Sequence, residues 1–92
     1  MIDVKTAVRR AVEYIQGLEG LVPDKGIRLE ETEYDEKKNE WFITLSALQE
    51  PDVSAGLLVT LTAGKRTYKI FRINGLTGNV KAMKVRQLQP IE

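Results

Sequence analysis

The chain has 92 residues, 42% hydrophobic and 29% charged, which sets one small globular domain with one core and excludes a disordered or fibrous chain. It contains no His and no Cys, so zinc fingers, thiol or imidazole catalysis, Ser-His-Asp triads and disulfide frameworks are excluded. The net charge is only +1.

The first element is a helix over residues 3–18. Its apolar positions Val4, Ala7, Val8, Ala11, Val12, Tyr14, Ile15 and Leu18 follow the i, i+3, i+4 spacing of one buried stripe. Asp3 suits the N-cap, because its carboxylate can accept from the unpaired backbone N–H groups of the first turn. Gly17 and Gly20 weaken the other end, and Pro23 forbids continuation.

The rest of the chain reads as strands. Residues 27–35 are extended by pattern, with Ile27 and Leu29 on one face before an acidic run begins. The polar stretch 36–39 turns the chain into 40–48, where Trp41, Phe42, Ile43, Thr44 and Leu45 cluster as β-formers. Residues 67–74 (TYKIFRIN) and 79–87 (NVKAMKVRQ) form a second hairpin across Gly75-Leu76-Thr77-Gly78, whose two glycines allow positive φ. Between the hairpins, Glu50-Pro51-Asp52 breaks the chain, and 56–62 (GLLVTLT) reads as a fifth strand or as a loop tucked on the core. One helix with four or five antiparallel strands is a two-layer α+β design. Trp41 or Phe42 should join Val8, Ala11 and Ile15 in its core.

Charge is distributed unevenly. Residues 1–64 carry 7 basic and 12 acidic side chains, whereas 65–92 carry 7 basic and 1 acidic. The basic end can be a surface for a polyanion. It can equally neutralise the acidic strand within one sheet, and the near-zero sum favours that reading.

No constellation carries a catalytic signal. Glu31 and Glu33 share a strand face, about 7 Å apart, the ordinary spacing of solvated carboxylates. Glu30, Glu31, Asp35 and Glu36 offer oxygen ligands without calcium-loop spacing. The glycines of 75–78 lead into a strand, not the helix a phosphate cradle needs. No cofactor or metal is therefore expected. Nucleic-acid binding has a basis in Lys69, Arg72, Lys81, Lys84 and Arg86 with Tyr68 and Phe71 interleaved. Tyr68 and Phe71 fall on opposite strand faces, however, and cannot form one stacking platform.

The run Tyr-Lys-Ile-Phe-Arg-Ile-Asn-Gly-Leu-Thr-Gly-Asn-Val at 68–80 resembles the end of PepSY-like and other cystatin-like small domains. There Tyr-x-Val-x-x-(Ile/Val)-(Asp/Asn) leads through a Thr-Gly turn into the last strand. The resemblance implies an N-terminal helix packed on a four- or five-stranded antiparallel sheet over residues 1–92. It also implies a domain that binds or restrains other proteins and brings no catalytic residues to transfer.

The resulting expectation is a small bacterial, non-enzymatic protein-binding domain of the interaction, inhibitor or immunity type. The alternative is a nucleic-acid-binding accessory protein that uses the five basic side chains of the last two strands. No stretch approaches the roughly 20 apolar residues of a membrane span, and no apolar run follows MIDVKTAVRR, so a cytoplasmic location is expected. Lys and Arg along the last strand, and the acidic charge of the first, guard the sheet edges. A monomer or at most a weak dimer is expected.

Overall fold

Helix α1 spans Val4–Gly17 and is capped as its sequence predicts: the Asp3 side chain accepts from the Thr6 backbone N–H at 2.8 Å. The computed structural model describes residues 1–49 and 65–86. The predicted strand over 56–62 lies outside them. Four strands follow the helix: β1 Lys25–Asp35, β2 Glu40–Leu48, β3 Arg66–Asn74 and β4 Val80–Arg86. They form an antiparallel meander in the order β1-β2-β3-β4, with α1 laid across one face.

The core lies between helix and sheet. Ala7, Ala11 and Ile15 from α1 meet Ile43 and Leu45 of β2 and Phe71 and Ile73 of β3, with Val8, Val12, Trp41, Val80 and Met83 around them. The two alanines are fully covered and leave little between the helix backbone and the sheet. The buried stripe is narrower than the apolar one, because Val4 and Tyr14 stay more than a third exposed at its margins. Tyr14 still sets its ring edge-on to Phe71, centroids 6.1 Å apart. Trp41, not Phe42, is the aromatic of β2 on the helix side. Its indole N–H donates to the Ile2 carbonyl at 3.2 Å, and its ring packs 5.0 Å from that of Tyr34.

Both hairpin tips meet at one end of the sheet. Asn39 turns the first at a φ of 51°, a left-handed conformation that asparagine tolerates. Its carbonyl accepts from the Gly75 N–H of the second at 2.7 Å. Gly75 is required for space rather than for positive φ: a Cβ there would stand 2.6 Å from the Asn39 carbonyl oxygen. Of the two turn glycines only Gly78 is left-handed, at 79°. Asn74 organises the loop, its side-chain oxygen accepting from the N–H groups of Leu76 and Thr77.

Candidate functional site

Strand alternation sends every second side chain of the sheet away from the helix. The register places Glu31 and Glu33 of β1, Phe42, Thr44 and Ser46 of β2, Tyr68, Ile70 and Arg72 of β3, and Ala82, Lys84 and Arg86 of β4 on this open face. Carboxylates predominate toward β1, where Arg28 also lies, and basic groups toward β4, with Phe42, Ile70, Glu40 and Arg72 on the strands between.

Two irregularities in the ladder build the face. Between Leu29 and Glu31 one residue is inserted in β1, so Glu30 lies beside Glu31 opposite β2. Its carboxylate accepts from the Ser46 hydroxyl at 2.6 Å and pairs with Arg28 at 3.0 Å. Between Arg72 and Ile73 the β4 register also slips, so Val80 pairs with Ile73 at the core and Lys81 is released. The Lys81 ammonium then reaches Glu40, 3.1 Å away, and Arg72 reaches the same carboxylate at 3.1 Å.

The open face has no second layer of backbone among the described residues, yet Glu40, Thr44 and Ser46 are each no more than 2% exposed. The long side chains of neighbouring strands roof them. Arg86 pairs with Glu31 from the far edge strand and donates to the Thr44 hydroxyl at 3.4 Å on the way. Its aliphatic stem and those of Arg72 and Lys81 exclude water while their charged ends stay paired. The Arg72 hydrogen bond, more than burial opposes it, holds the Glu40 carboxyl below the usual glutamate range, with Lys81 adding to the effect. The Ser46 hydroxyl and then Arg28 do the same for Glu30.

Between these latches the face keeps a shallow groove of about 200 Å³, lined by Glu31, Glu33, Phe42, Thr44, Ile70 and Arg86. Phe42 and Ile70 are half-buried, Glu33 and Lys84 exposed. Among the described residues neither Glu33 nor Lys84 takes part in an ion pair.

The five basic side chains singled out from the sequence do not share one surface. Arg72 and Lys81 bind Glu40, Arg86 binds Glu31, and Lys84 stands on the open face. Lys69 pairs with Leu45 and Val85 on the helix side. Tyr68 and Phe71 do lie on opposite faces, and Phe71 is fully buried. The acidic β1 and the basic β4 are the two edges of the meander, and Arg86 reaches across it to Glu31, whereas Arg72 and Lys81 meet Glu40 of β2. The groove residues Phe42 and Ile70 were not singled out from the sequence as a binding pair. Their signal is the register that makes them diagonal neighbours on adjacent strands.

Among the described residues no three acidic side chains converge to hold a metal ion, and no helix is long and apolar enough to cross a membrane. No protein-family model, curated protein or solved structure matches this chain.

Proposed function

We propose that this chain is a non-enzymatic protein-binding domain, of the interaction, inhibitor or immunity type that PepSY-like and cystatin-like domains exemplify, and that it acts in the cytoplasm through the open face of its sheet. One observation carries the reading: the face sets Phe42 and Ile70 in a groove of mixed polar and apolar lining between an acidic and a basic rim, with Arg72, Lys81 and Arg86 already paired within the chain. Such a surface suits a folded or extended polypeptide, which brings apolar side chains and both signs of charge. It suits a polyanion poorly, since three of the five basic groups are engaged with carboxylates and the phosphates would have to displace them.

The hydroxyl–carboxylate pair that the described residues form on the face, Ser46 with Glu30, supports the non-enzymatic part of the reading. A carboxylate held below its usual range is a poor base, and Ser46 is only 1% exposed.

The test is affinity capture from native lysate, with nuclease-treated and untreated arms, using the wild-type chain and a Phe42→Ala/Ile70→Ala variant. A protein partner retained after nuclease and lost with the double variant is expected. Capture abolished by nuclease and indifferent to Phe42 and Ile70 would favour the nucleic-acid alternative.

A further inference from the structure

We propose that the open face is self-complementary and takes a second copy of this chain, docked face to face about a two-fold axis parallel to the strands. This rests on the open face being a protein-binding surface and names an occupant for it. Across the sheet the groups run in the order Glu33 and Glu31 on β1, Phe42 on β2, Ile70 on β3 and Lys84 on β4. A matching partner must present the reverse order, and a two-fold axis along the strands makes this chain present it to itself. The β1 rim of each copy then lies over the β4 rim of the other. A two-fold axis across the strands would set acidic rim on acidic rim, so charge selects one of the two isologous arrangements.

The selected arrangement also finds partners for Glu33 and Lys84, which take part in no ion pair among the described residues. Glu33 shares a cross-strand row with Phe42 and Arg72, and Lys84 shares the next row with Thr44 and Ile70. Adjacent rows are about 7 Å apart along a strand, within the reach of a lysine side chain. This axis keeps the rows, so the second copy's Lys84 lies opposite Glu31 and one row from Glu33, within reach of it, and each Phe42 lies one row from the second copy's Ile70, giving two ion pairs around two apolar contacts. Four strands about 4.8 Å apart and about seven residues long present roughly 400 Å² per copy, about half the contribution each partner makes to a standard stable interface. The dimer is consequently weak, and the monomer predominates in dilute solution.

Sedimentation equilibrium of the full chain from about 10 μM to 1 mM, at about 50 mM and 500 mM salt, tests this. A monomer–dimer equilibrium that weakens at least several-fold at the higher salt is expected. Glu33→Lys and Lys84→Glu should each be monomeric, because each doubles a like charge across the axis. An equimolar mixture of the two should dimerise again, since both cross-axis pairs then become opposite in sign. Both positions are exposed, and Glu33→Gln with Lys84→Gln serves as the uncharged control should a reversal not fold. A monomer at every concentration, a dimer indifferent to both reversals, or a mixture that stays monomeric would overturn the inference. In each case capture of another protein through Phe42 and Ile70 would stand, so the two readings fail separately.

Discussion

Glu40 is the side chain on which the two hairpins depend electrostatically. It is 1% exposed, and its two cations come from β3 and β4. Truncating Arg72 would leave the buried Glu40 carboxylate with Lys81 as its remaining cation among the described residues. Because Arg72 holds the folded carboxyl below the ordinary 4.5, the folded chain binds this proton less tightly than the unfolded one. The resulting stability is complete above the ordinary glutamate range and is lost as pH falls through the lowered one. Glu30, lowered by Ser46, and Asp3, lowered by the Thr6 backbone N–H, act in the same direction. Glu40→Gln should lower Tm at pH 7 and make its fall between about pH 5 and pH 3 shallower than in the wild type. Calorimetry across that range measures both, and an unchanged acid limb would remove Glu40 from this role.

At the scale of elements, the two faces of β2 should respond differently to truncation. Trp41 packs on the core from the helix side and Phe42 is half-buried on the open face. Trp41→Ala is expected to cost about 3–5 kcal/mol, and Phe42→Ala about 1–2 kcal/mol, in urea unfolding. A larger loss at Phe42 would invert the assignment of faces. The β3–β4 turn gives a second ordering. Gly78→Ala strains a left-handed residue, at about 1 kcal/mol, whereas Gly75→Ala drives a methyl into the Asn39 carbonyl and should destabilise more. Equal melting temperatures for the two variants would contradict the close approach of the hairpin tips.

The helix and all four strands were legible within two residues, because the i, i+4 stripe of Ala7, Ala11 and Ile15 and the β-formers around Trp41 each specify one period. The bulges were not read, although they leave a mark. Inward residues in β1 run 27, 29, then 32, 34, and in β4 run 80, then 83, 85, a change of parity that one inserted residue produces. Missing them hid the roof of the open face, since the bulges are what bring Glu30 to Ser46 and Lys81 to Glu40. The charge poles were visible from composition, but which carboxylate each cation meets depends on register and twist.

Across the whole molecule, the basic end of the chain is largely engaged by the chain's own carboxylates. Arg72, Lys81 and Arg86 close ion pairs across the sheet, Lys69 lies on the other side of it, and Phe71 is buried beneath the helix. Paired carboxylates within a few ångströms cancel the field of these cations well inside a Debye length, about 14 Å at 50 mM salt. The basic strands pair with Glu40 of β2 and Glu31 of β1 within the chain, and the use proposed for the remaining face is to bind protein and not phosphate. Titration of a labelled random single-stranded oligonucleotide, followed by fluorescence anisotropy, tests it most directly. No measurable binding is expected even at about 50 mM salt. Micromolar binding at about 150 mM salt, weakening linearly with log salt and lost when Lys69 and Lys84, neither of them in an ion pair among the described residues, are changed to Glu, would contradict it.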